Sequence, residues 1–258
     1  MVWLAFVGLG LKLKHLTLEA LEVLKDSDIV FLDSYTSVGE DITVKSLSSL
    51  LGKPIRQITR HEIEEENGKI IFDALDKGLN VSFAVIGDPF IATTHIVLLL
   101  EAVKRGIEIR IVHGISIYSV AISCSGLMAY KFGKTATVVY PKDNITFEYP
   151  YNVIKENKER ELHTLLLLDL DAEKGVFMTA NDALKILLSI EAKRKENVIK
   201  NNEKVLVIAR ASSKNQKCVY GPVRKLVTMD FSKPPHVIII PGKLHFIEEE
   251  ALRRFSIE

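Results

Sequence analysis

Short apolar runs rich in β-branched residues alternate through the first half of the chain with segments in which apolar residues recur every three or four positions. The runs cover residues 2–7, 29–32, 54–58, 81–86 and 107–112 and predict strands. Between them, Leu18, Leu21, Val23 and Leu24 keep helical spacing, as do Ile70, Ile71, Ala74 and Leu75, and again Ile96, Leu99, Leu100 and Val103. Strands that alternate with helices pack as a parallel sheet with helices on its faces, joined by right-handed crossovers. Ligands of such sheets collect at the carboxyl ends of the strands.

The second half is less regular. A helix is expected at 116–121, then strands at 135–140, 164–170, 204–211, 220–226 and 236–240. An amphipathic helix over 181–195 has Thr179 or Asn181 as its cap. That order predicts a mixed sheet. The fold class read from the pattern is α/β with two α/β domains, a parallel-sheet domain at 1–114 and a mixed-sheet domain at 115–258.

Composition supports two ordinary domains: 258 residues, 47% hydrophobic and 26% charged. Thirty-four Lys plus Arg against thirty-three Asp plus Glu leave a formal charge of +1, so no bulk field recruits nucleic acid or an anionic membrane. The opening apolar run follows no basic segment, is interrupted by Lys12 and Lys14, and is too short to cross a bilayer, so it reads as a strand. Cys124 and Cys218 are the only cysteines and lack metal or framework spacing, which points to a cytoplasmic protein.

Candidate chemistry gathers where strands end. Gly8 and Gly10 follow the first strand, but the third glycine of a dinucleotide fingerprint is missing, and a plain turn and a ligand loop both stand open. Gly87-Asp88-Pro89 follows the fourth strand. Asp88 there either meets a polar part of a ligand or, with Thr93 as the alternative, caps the next helix. Ser116, after Gly114 and the fifth strand, is a cap or a ligand contact. All three loops are expected at one sheet edge. His61-Glu62-Ile63-Glu64-Glu65-Glu66 lacks the second histidine of a zinc helix and reads as a solvated charge run, and no metal site is expected. Lys193-Arg194-Lys195 suits the end of a helix. His236 precedes an apolar strand, with structural and site readings both open. No Ser-His-Asp or Cys-His arrangement can be assigned, so residue patterns lead to a small-molecule cleft without naming its ligand.

The stretches VGLGL, IGDPFIATTH, GISIYS, YKFGKTATVVYP, LHTLLLLD, MTANDA and PPHVIIIPGKLH, in this order across nearly the whole chain, resemble the diphthine synthases of the tetrapyrrole-methylase-like superfamily. The wording and length resemble the archaeal branch. The resemblance implies a homodimer of two α/β domains that binds S-adenosylmethionine in a cleft between them. It also implies a protein substrate, translation elongation factor 2. The amino group of the 3-amino-3-carboxypropyl chain on one of its histidines would be methylated repeatedly to diphthine, on the way to diphthamide. Carried over by motif, the cofactor residues are Leu11, Asp88, Ile91, Ser116, Ile117, Leu168, Ala211 and His236. No catalytic base follows from it. One departure is Lys12-Leu13-Lys14-His15, where members tend to carry acidic residues after the first glycines. The alternatives are a related methylase acting on a tetrapyrrole or ribosomal RNA, or a non-catalytic nucleotide-binding module.

Overall fold

Strand β1, Trp3–Gly8, is buried at every position, as a strand covered on both faces must be. With β2 (Ile29–Asp33), β3 (Ile55–Ile58), β4 (Val81–Val85) and β5 (Glu108–Val112) it forms a sheet in the order β3-β2-β4-β1-β5. Every pairing in it is parallel. Alternate residues of β1 enter different cores. Trp3, Ala5 and Val7 pack with Leu24 of helix α1 (Leu18–Asp26) and with Leu47 and Leu51 of α2 (Val44–Leu51). Leu4 and Phe6 pack with Ile71 and Phe72 of α3 (Lys69–Asp76) and Leu98 of α4 (Ile96–Lys104). The computed structural model describes residues 2–33, 35–143 and 145–257.

The remaining elements are α5 (Ile117–Ser125), β6 (Ala136–Val138), α6 (Tyr149–Glu159), β7 (Thr164–Leu168), the hairpin β8 (Leu170–Asp171) and β9 (Val176–Phe177), α7 (Ala180–Arg194), β10 (Lys204–Ala209), β11 (Lys217–Pro222), α8 (Val223–Leu226), β12 (His236–Ile240) and α9 (Phe246–Arg253). Their main sheet runs β11-β10-β12-β7-β6, with β6 and β7 parallel and the other pairs antiparallel, so it is mixed. Of the two cap candidates for α7, Thr179 is the cap, exchanging bonds with Asp182.

Two compact units result. The first runs to Ile117 and includes Asp171–Gly175; the second takes Tyr118–Leu170 and the chain from Val176 onward. The expected boundary after Gly114 lies three residues short of this one.

Some elements differ from the expected ones. The strand expected at 220–226 stops at Pro222, which has no N–H to continue a ladder, and Val223–Leu226 turns into a helix. The strand expected at 204–211 ends at Ala209, because Arg210 turns the chain with φ 51°. Ser116 lies just before the helix expected to begin there, which starts at Ile117.

Candidate cofactor site

In the first unit, β4, β1 and β5 are neighbours, so the loops after them lie side by side at the carboxyl edge. They interlock through backbone. Leu9 N–H donates to the Val85 carbonyl at 2.8 Å, and Gly10 and Gly87 exchange N–H···O bonds at 3.1 and 2.9 Å. A side chain at Gly8 would come within 2.4 Å of Gly114 N, and one at Gly114 within 2.1 Å of the Gly87 carbonyl oxygen. Gly8 and Gly114 are therefore required by loop packing whether or not a ligand binds. Gly87 is different. It has φ +87°, and no atom lies within 4 Å of where its Cβ would stand. A ligand can approach the backbone there, and this open ledge is the feature that fits a bound cofactor.

Asp88, 8% exposed, ties the loops together. Its Oδ1 accepts from Phe90 N–H at 3.0 Å, and its Oδ2 accepts from Gly114 N–H at 3.2 Å and faces His113 Nδ1 at 3.1 Å. It caps no helix, and neither does Thr93, whose hydroxyl donates to the Pro89 carbonyl at 2.6 Å; α4 opens at His95 without a side-chain cap bond. One acceptor position on Oδ1 remains free among the described contacts, since a carboxylate has about four. Ile91, three residues on, is 43% exposed beside this turn. Ser116 is buried and Ile117 begins α5.

The first loop carries its own occupant. Leu11 N–H donates to His15 Nδ1 at 3.3 Å, and residues Leu13–His15 form a 3-10 turn held by Leu13 N–H to Asp41 Oδ1 at 2.8 Å. Burial and the neighbouring Lys12 charge hold the His15 pKa below its ordinary value, which suits an acceptor role. Any ligand contact of Leu11 must therefore use atoms other than its N–H. The charge run at His61 forms a π-helix, His61–Glu65, in which the exposed imidazole pairs with Glu65 at 2.9 Å and Glu66 at 3.4 Å.

In the second unit, β12 is antiparallel to both β10 and β7. The start of β12 at His236 therefore shares a sheet edge with the ends of β10 and β7. Leu168 and His236 lie on this edge, with Ala211 two residues beyond the end of β10. Arg210 fixes that turn by donating to the carbonyls of Phe231 and Lys233, both at 2.6 Å. His236 is 4% exposed, with Nδ1 accepting from Ala180 N–H at 3.2 Å and Nε2 donating to the Lys233 carbonyl at 3.2 Å. Burial pushes its pKa down, which agrees with a neutral ring.

A family model described as Tetrapyrrole (Corrin/Porphyrin) Methylases matches residues 3–227. A diphthine synthase of Methanocaldococcus jannaschii is 46% identical over 253 residues, covering 97% of each chain. The chain belongs to the diphthine synthases of the tetrapyrrole methylase family. It is a methyltransferase. A diphthine synthase of Saccharolobus islandicus is 47% identical over 252 residues, again with 97% of each covered, so the similarity to archaeal members holds. A solved structure titled diphthine synthase superposes with a TM-score of 0.88 at 35% identity, over 98% of this chain and 96% of the other.

Three of the diphthine synthase stretches meet in a knot that spacing along the chain did not reveal. YKFGK supplies Lys131, LHTLL supplies His163, and PGKLH supplies Gly242 and His245; all surround Glu248, a fully buried carboxylate in the first turn of α9. Glu248 accepts from Met128 N–H at 2.9 Å, His245 N–H at 2.8 Å and His163 Nε2 at 2.9 Å, and pairs with the Lys131 ammonium. Burial opposes its ionisation, but the His245 N–H and the Lys131 ammonium lead the bonds that hold its pKa down to about 2. His163 Nδ1 accepts from Gly242 N–H at 2.9 Å, so its proton sits on Nε2, and burial lowers its pKa. The hint in the sequence was that these diphthine synthase stretches hold Lys131, His163 and His245.

Proposed function

We propose that this methyltransferase uses S-adenosylmethionine to methylate, repeatedly, the amino group of the 3-amino-3-carboxypropyl chain on a histidine of translation elongation factor 2. Diphthine is the product, in diphthamide biosynthesis. The observation that carries this reading is the open backbone ledge at Gly87 between two interlocked glycine loops, in a chain whose relatives are named diphthine synthases. Cofactor binding falls to Leu11, Asp88, Ile91, Ser116 and Ile117 of the first unit and Leu168, Ala211 and His236 of the second.

Bound S-adenosylmethionine supplies an electrophilic methyl group on a sulfonium. The chain's part is to bind, orient and exclude water: Gly87 leaves room, Asp88 offers its remaining acceptor position, and Ile91 and Leu168 provide apolar wall. Holding reacting groups in line is worth up to about 7–11 kcal/mol in model systems. No base is assigned among the site's side chains. Asp88 is tied to Gly114 and His113, and both nitrogens of His236 are bonded to backbone. In this reading solvent takes the proton of the substrate ammonium, helped by a partly desolvated site and a neighbouring positive charge.

The protein works as a cytoplasmic homodimer in this reading. Supporting it, Ile96, Val97, Leu100 and Val103 leave one stripe of α4 between 50% and 57% exposed, more apolar surface than an isolated helix face sustains well. Calorimetric titration with S-adenosylmethionine and, separately, NAD tests the cofactor. Heat with the first alone supports the reading, and binding of NAD alone overturns it.

A further inference from the structure

His95 is fully buried where α4 begins. Its Nδ1 lies 3.0 Å from the Pro89 carbonyl oxygen, which only accepts, so Nδ1 carries a hydrogen and donates. The other ring nitrogen, Nε2, stands 3.3 Å from Asp33 Oδ2 with both side chains wholly shielded from water. That second contact misses hydrogen-bond geometry, so it is a close polar approach and not a directed bond. Asp33 closes β2 and is itself fixed. Its Oδ1 accepts from Tyr35 N–H at 3.0 Å and Thr36 N–H at 3.2 Å, and its Oδ2 accepts from the Thr36 hydroxyl. Phe83 and Tyr35 meet the imidazole edge to face, at 4.8 and 6.5 Å between centroids.

A line of polar contacts thus crosses the carboxyl edge of the sheet, from Asp33 at the end of β2, past His95 to Pro89 after β4, and from the adjoining Asp88 to Gly114 after β5. An apolar side chain of similar size would fill the space beneath the turn without the desolvation cost of a buried His–Asp pair. What an apolar residue cannot do is hold the Pro89 carbonyl. We propose that His95 is a positioning residue for the cofactor. Its Nδ1–H holds the Pro89 carbonyl and so sets the angle of the Gly87–Asp88 ledge, with Asp33 lying against the opposite ring nitrogen. The inference rests on the cofactor reading above.

Two isosteric replacements separate positioning from filling. The side-chain amide nitrogen of Asn takes the place of Nδ1, and that of Gln the place of Nε2. Affinity for S-adenosylmethionine is measured by calorimetry, and melting temperature in parallel, for the whole protein and for His95→Asn, His95→Gln and Thr93→Val. Positioning predicts that His95→Asn keeps affinity within about threefold, whereas His95→Gln loses about tenfold or more. It also predicts the opposite order for stability, because the shorter Asn leaves a gap beside buried Asp33. Thr93→Val removes the other donor to Pro89 at a half-buried position and should weaken binding as well, which keeps the test standing if His95→Gln fails to fold. Equal affinities in both His95 variants, or an unchanged affinity in Thr93→Val, would overturn the proposal. A wild-type protein that binds no S-adenosylmethionine would instead overturn the cofactor reading, and this inference with it.

Discussion

At the scale of single residues, Asp88 changes meaning once its partners are known. From its neighbours in the chain it could cap the next helix or face a ligand, and spacing cannot choose. Its main partner, Gly114, is 26 positions away and becomes a neighbour only because β4 and β5 flank β1. Asp88→Ala should lower stability by about 1–3 kcal/mol, since the Gly114 N–H loses its acceptor. It should also weaken S-adenosylmethionine binding by roughly 10- to 150-fold if the carboxylate meets the cofactor. Melting temperature and calorimetric affinity on one sample decide. A fall in the first with an unchanged second would make Asp88 a loop staple alone. His236 shows the same limit: a buried histidine before a strand was legible, but its partners, Ala180 N–H and the Lys233 carbonyl, depend on how β12 meets α7 and the preceding loop.

Among elements, the central strands β1, β2 and β4 were legible because strands buried on both faces stay mostly apolar. The edge strands β3 and β5, which carry Arg56, Gln57, Glu108 and Arg110, were legible from the apolar residues around those positions. Helices with mixed surfaces were not. In α2, VKSLSSLL buries only Leu47 and Leu51 behind serines. The helix α9 buries only Glu248 and Leu252 and so shows no broad apolar stripe, while α6, which buries Tyr151, Val153 and Ile154, carries Pro150 in its first turn and charged residues through its second half. Segment 220–226 shows the reverse fault: Val223 and Leu226 stand three residues apart, as in a helix, and Pro222 ends the strand before them. The Glu248 knot that anchors α9 makes a prediction of its own. A carboxylate whose folded pKa is depressed from 4.5 to about 2 contributes stability that is present above its unfolded pKa and lost as pH falls toward the folded one. The contribution is about 3 kcal/mol at most. His163, its pKa lowered by burial, acts in the same direction, its contribution being present above its ordinary 6.5 and lost on acidification. The melting temperature should therefore fall steeply between about pH 5 and about pH 3. Glu248→Gln should be less stable at neutral pH and show a flatter acid limb. Parallel profiles for the two proteins would remove the knot from the explanation of acid sensitivity.

For the whole molecule, a net charge of +1 and an apolar stripe on α4 favour association with a like surface over capture of a polyanion. Leu100→Glu with Val103→Glu should convert a dimer into a folded monomer by light scattering at micromolar protein. A wild-type protein that is already monomeric there would contradict the dimer reading. The α/β class and mixed second sheet were legible from pattern, and the methyltransferase reading from stretches scattered along the chain. How the loops after β1, β4 and β5 interlock was not, because backbone approach leaves no mark beyond glycine. The central claim concerns the acceptor. Incubation with radiolabelled S-adenosylmethionine and elongation factor 2, with and without the 3-amino-3-carboxypropyl group on its histidine, tests it most directly. Label on the modified protein alone is the predicted result. Equal label on both forms, or none on the modified one, would contradict it.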